Sequence, residues 1–127
     1  MRRDSIFLLI AALGLTPIAL AYGLMPTSSV PALYGIEVDS INLAHVLRAV
    51  MGLYLAMALF WLMGAVKEPL RLAALYSVLV FMVGLAAGRL LSFALDGMAS
   101  WPFLVYLFLE LGFGAAAWLL IRNQGTD

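Results

Sequence analysis

The sequence predicts an all-α integral membrane protein, an up-down four-helix bundle with both termini on the cytoplasmic side. Three observations predict it. Of the 127 residues 65% are hydrophobic and 11% charged; four apolar stretches of spanning length follow one another; and Lys and Arg gather on one side of them. Soluble domains hold roughly 45–50% apolar and about 25% charged residues. A water-soluble chain this short could not bury so much apolar surface in its own core, and the mean hydropathy is +1.07. Lipid is the expected solvent. A formal net charge of zero gives no sign of a nucleic-acid partner. With no Cys in the chain, disulfides, thiolate metal sites and thiol nucleophiles are excluded.

The first stretch covers residues 5–25. Arg2 and Arg3, the apolar run and Ala19-Leu20-Ala21 have the outline of a signal peptide, but the run has the ~20 residues of a full span. It is therefore expected to be the first transmembrane helix. Residues 26–41 form a connecting loop with Pro26, Pro31 and Gly35, ending in Asp39-Ser40, good N-cap residues for the second span over 42–66. Lys67-Glu68-Pro69 is a tight turn with Pro69 at or near the first position of the third span, 70–95. Asp96-Gly97-Met98-Ala99-Ser100 closes that helix, and Pro102 opens the fourth, 102–121. The chain has no internal repeat or low-complexity segment and reads as a single domain over 1–127.

Small-xxx-small pairs, Gly84 with Gly88 and Gly112 with Ala116, are expected to let helices approach closely, because burial alone gives no drive in lipid. Trp101, Tyr34 and Tyr22 read as an aromatic belt at one interface, Trp61 and Trp118 as its counterpart at the other. Orientation follows from Arg2, Arg3, Lys67, Arg71 and Arg122, which share one side, while loops 26–41 and 96–101 contain no Lys or Arg. Positive residues stay inside.

Six polar residues lie in or beside the apolar spans: His45, Arg48, Arg89, Ser92, Asp96 and Glu110. A charge at mid-bilayer costs at least about 2.5–3.5 kcal/mol, so such groups face the bundle interior and pair. His45, Arg48 and Gly52 fall on one face of the second span, and Arg89, Ser92 and Asp96 on one face of the third. Tyr106, Glu110, Gly114 and Ala117 form one stripe on the fourth, while Tyr54 faces another neighbour than His45. All six sit at the outer half of the bilayer, and the expectation is a single site. Three readings compete: a ligand-binding pocket, an ion-pair staple that fixes helix register, and snorkelling of His45, Arg48 and Arg89 to headgroups. As chemistry, His45 or Glu110 would be the general acid/base of an isomerisation. The sequence identifies neither a nucleophile nor a redox cofactor. One His and two carboxylates already matched by two guanidinium groups argue against a metal.

The pattern Asn42-x-x-His45-x-x-Arg48-x-x-x-Gly52-x-Tyr54, then Gly88-Arg89-x-x-Ser92-x-x-x-Asp96-Gly97, then Glu110 resembles that of domain-of-unknown-function family 4345. These are small bacterial four-span membrane proteins, similar in layout to DoxX-like proteins. The resemblance covers nearly the whole chain and is best from about Tyr34 to Glu110. It implies the four-span fold, a shared polar site and a bacterial inner-membrane location, and it brings no assigned activity. The expected function is binding of a small molecule or lipid by His45, Arg48, Arg89, Ser92, Asp96 and Glu110. The alternatives are an accessory subunit, working with a membrane-protein partner or as a homo-oligomer, and a membrane-embedded acid/base enzyme.

Overall fold

Long apolar runs become long helices, because in lipid every backbone N–H and C=O must be satisfied within the segment. A computed structural model of the protein describes residues 2–126. It places α1 at Arg3–Gly23, α2 at Pro26–Tyr34, α3 at Ile41–Val66, α4 at Glu68–Asp96 and α5 at Trp101–Arg122, followed by a single 3₁₀ turn, Asn123–Thr126. Helices α1, α3, α4 and α5 are each long and apolar enough to cross a membrane, and the chain is a multi-pass membrane protein. At 1.5 Å per residue, α3 and α4 are roughly 39 and 43 Å long, more than the ~30 Å hydrocarbon core, which a tilt accommodates.

The corners use the chemistry expected of them. Ser40 is the N-cap of α3, its hydroxyl accepting from the Leu43 amide at 3.1 Å. Pro69 and Pro102 sit in the first turns of α4 and α5. Gly35 and Gly97 take the positive φ values, +69° and +101°, that end α2 and α4. The segment expected to be a loop is a helix in its first part: α2 spans nine residues. Pro26 stands in its first turn, where the missing N–H costs nothing. Ser29 ties α2 to α1 by donating to the Ala21 carbonyl at 2.6 Å.

Packing follows chain order, α1 on α3, α3 on α4 and α4 on α5, whereas α1 and α5 do not pack along their length. The core joins Leu8, Ala11, Ala12 and Leu15 of α1 to Ala58 and Trp61 of α3 and Leu75 and Val78 of α4. The outer surface carries large apolar side chains such as Ile41, Val66, Val80 and Leu95, as a lipid-facing surface requires.

The glycines that bring helices together are not those expected. A Cβ on Gly84, Gly88 or Gly112 would meet nothing within 4 Å. Close approach occurs instead at Gly23, where a Cβ would overlap Met51 Cβ and stand 2.8 Å from the Leu47 carbonyl, and at Gly64, where it would overlap Ala74 Cβ. An arginine from the following span seals each corner. Arg48 donates to the Gly23 and Leu24 carbonyls at 3.1 and 3.3 Å, and Arg71 to those of Gly64 and Ala65 at 3.1 and 3.0 Å. Both arginines satisfy carbonyls orphaned at a helix C-terminus and lie at its negative dipole end.

The aromatic belt also needs correction. Trp101 and Trp118 are exposed, and Arg122 lies over the Trp118 ring at 5.2 Å. Trp61 is fully buried; it donates from Nε1 to Ser77 Oγ at 2.9 Å and sets its edge on Phe81. Tyr34 is buried and Tyr22 half-buried, both inside the bundle. At the end of the bundle that holds the termini, Asp4 is buried and takes bonds from Arg2 at 3.0 Å and Gln124 at 2.8 Å.

Candidate functional site

Within the spans, α4 and α5 bring one arginine and one glutamate together. Arg89 lies about two turns before the end of α4, and Glu110 just over two turns into α5. The antiparallel packing of these helices brings the two side chains level. Arg89 Nε donates to both carboxylate oxygens of Glu110, at 2.9 and 3.0 Å. The Glu110 side chain is 7% exposed and that of Arg89 17%. Gly114 and Ala117 are buried on the same stripe as Glu110, and a Cβ on Gly114 would touch Met82 and Val83 at 3.6 Å, so this stripe packs closely on α4.

Rings enclose the guanidinium. Its central carbon stands 5.7 Å from the Phe103 centroid and 5.5 Å from that of Tyr106, within the range of cation–π attraction. Tyr34, delivered by α2, shares a 2.7 Å hydroxyl–hydroxyl hydrogen bond with Tyr106 and stacks on Phe103 and Tyr22. Burial, then the bond to Tyr106, push the Tyr34 phenol above the usual tyrosine range, so it stays neutral. The short helix α2 thereby plugs the bundle end opposite the termini.

Of the six residues expected at one site, Arg89 and Glu110 meet and Ser92 lines a space with Arg89, but His45, Arg48 and Asp96 do not join them. His45 is exposed on the first turns of α3, and Arg48, also exposed, is committed to the C-terminal carbonyls of α1. Ser92 donates to Asp96 at 2.9 Å, and both are exposed. The physical reason is local: an i, i+4 pair closes on itself, and carbonyls left bare at the negative end of a helix dipole hold a nearby guanidinium. Of the two acid/base candidates, His45 is exposed while Glu110 is buried in the pair with Arg89. Tyr22, Tyr34, Phe103 and Tyr106 were missed as site residues. Tyr22 and Tyr34 read from the sequence as interfacial belt residues and Tyr106 as a neighbour of Glu110 on its stripe, while nothing in the sequence marks Phe103. Among the described residues no three His, Asp or Glu gather as metal ligands.

Beside the ion pair lies a crevice of about 270 Å³, lined by Ile10, Gly14, Leu15 and Ile18 of α1, Tyr54 of α3, Met82, Leu85 and Arg89 of α4, and Tyr106, Leu109, Glu110 and Phe113 of α5. It occupies the seam where α1 and α5 fail to pack. Phe7 against Phe113, with ring centroids 5.6 Å apart, closes the seam toward the termini, and the Tyr34–Tyr106 bond closes it at the other end. Between these closures the crevice opens sideways past the exposed Ile10, Gly14 and Leu109. Across Tyr54, Leu85 and Arg89, which line both spaces, lies a more open vestibule of about 510 Å³ reaching Tyr22, Gly84, Gly88, Ser92 and Ala99.

The arrangement can hold an apolar molecule and present it with hydrogen-bonding groups whose net charge is zero. No characterised protein and no solved structure matches the chain. The profile of one family does match, described as a domain of unknown function (DUF4345), over residues 4–121; that is nearly the full length, and the chain belongs to this family.

Proposed function

We propose that the protein binds an apolar small molecule or lipid within the membrane, in the crevice between α1 and α5, with the Arg89–Glu110 pair as its polar contact. The observation that carries this reading is the coincidence of the two features. The interior charge pair borders an apolar space of about 270 Å³, close to the lower end of the roughly 300–1,000 Å³ usual for ligand pockets. A staple alone needs no space beside it. The opening between α1 and α5 faces acyl chains, so entry requires no passage through water.

The test is labelling by a hydrocarbon photoprobe, a diazirine-bearing alkane, on the purified protein in lipid nanodiscs, with adducts mapped by peptide. Adducts concentrated on Ile10, Gly14, Leu109 and Phe113 are expected. Labelling spread evenly over surface residues such as Val80 and Leu95 would contradict the reading.

The protein is further proposed to sit in a bacterial cytoplasmic membrane with both termini inside. Supporting this, Arg2, Arg3, Lys67, Arg71 and Arg122 cluster at one end, and loops 26–41 and 96–101 carry no Lys or Arg. Because the chain has no cysteine, single cysteines can be placed at will. In intact cells a membrane-impermeant thiol reagent is expected to label Glu37→Cys and not Glu68→Cys; the reverse pattern would invert the topology.

A further inference from the structure

We propose that the occupant is a single-chain amphiphile with an uncharged hydrogen-bonding head. Its tail lies in the α1/α5 crevice, its waist at Arg89, and its head in the vestibule beyond. This rests on the pocket reading above and deepens it.

Two observations carry it. First, the crevice and the vestibule are neighbours that share Tyr54, Leu85 and Arg89 in their linings. One is almost wholly apolar; the other adds the Tyr22 and Ser92 hydroxyls. Gly84 and Gly88 also line the vestibule, where a Cβ would meet nothing within 4 Å; the missing side chains are what leave room for a head. A molecule spanning both spaces is apolar at one end and polar at the other.

Second, the charge is already balanced. Arg89 Nε is committed to Glu110 at 2.9 and 3.0 Å and the guanidinium also bonds the Tyr22 side chain; its remaining terminal N–H groups can donate to a carbonyl or hydroxyl oxygen. An anionic head drawn to Arg89 would leave the Glu110 charge unmatched in a place with little water, and a cationic head would do the same to Arg89. Buried charges tolerate no such surplus. An uncharged head leaves the pair intact.

The experiment compares three diazirine photoprobes of equal chain length on the full protein in nanodiscs: an alkane, a primary alcohol and a carboxylate held ionised at high pH. The expected result is half-maximal crevice labelling by the alcohol at about tenfold lower concentration than by the alkane or the carboxylate. Gly88→Leu, which fills the vestibule without a backbone clash, is expected to erase that advantage. A carboxylate that labels as well as the alcohol, or an alcohol whose advantage survives Gly88→Leu, overturns the head assignment and leaves the pocket reading standing. Failure of all three probes to label the crevice of the unmodified protein overturns both.

Discussion

Arg89 and Glu110 show how a single residue type is constrained by lipid. Each alone would be an uncompensated charge in the bundle, and the Nε–H shared between both carboxylate oxygens at 2.9 and 3.0 Å brings the two charges together. Removing one member of such a pair costs about 3–5 kcal/mol, whereas replacing both by apolar residues of similar size is often neutral or stabilising. Glu110→Gln is therefore expected to lower the midpoint of thermal unfolding in detergent sharply. The double variant Arg89→Met/Glu110→Leu is expected to recover most of that loss. If the single and double variants unfold alike, the pair is not the coupled unit described here. Both charges were legible because Arg89 and Glu110 interrupt otherwise apolar stretches, although the sequence left open whether Arg48 or Arg89 pairs with Glu110 or Asp96. Choosing among the partners open to Arg48 was not feasible, since the carbonyls of Gly23 and Leu24 that hold it are invisible in a sequence.

At the scale of the helices, the four spans were legible because uninterrupted apolar runs of this length have one solution in a bilayer. The Ser40 cap and the prolines at the starts of α4 and α5 were legible because each acts through its immediate neighbours. Helix faces were harder to assign. A soluble helix shows its buried side by polarity, but here both sides are apolar, so Gly84-xxx-Gly88 looked like a packing surface and Trp61 like a belt residue. The true contacts, Gly23 on α3 and Gly64 on α4, stand near the ends of their helices, outside any repeated small-residue pattern. Substitution separates the two classes. Gly64→Ala must force Ala74 aside and is expected to cost about 1–3 kcal/mol. Gly112→Ala meets nothing within 4 Å and is expected to be neutral or to stabilise by up to about 1 kcal/mol. Equal losses of thermal stability from the two would remove the distinction.

The whole molecule is a bundle left open on one side. Each span packs on the next in sequence, and the circle is not closed between the first and the last. Across the α1–α5 seam, Phe7 meets Phe113 and Asp4 meets Gln124 toward the termini, and Tyr34 meets Tyr106 through α2 at the opposite end. No feature of the sequence predicts an open seam, because it arises from bundle geometry and from the small residues Ala11 and Gly14 facing it. The proposed binding reading depends on this seam, since a brace alone would need no space beside the charge pair.

The most direct measurement of that distinction is alkane photoprobe labelling in a Gly14→Leu variant. A Cβ at Gly14 meets nothing within 4 Å, so the added side chain occupies the crevice without disturbing the fold. The account predicts that labelling of Leu109 and Phe113 is lost while labelling of Val80 and the unfolding temperature stay as they were. Undiminished labelling of Leu109 and Phe113 in that variant would contradict it.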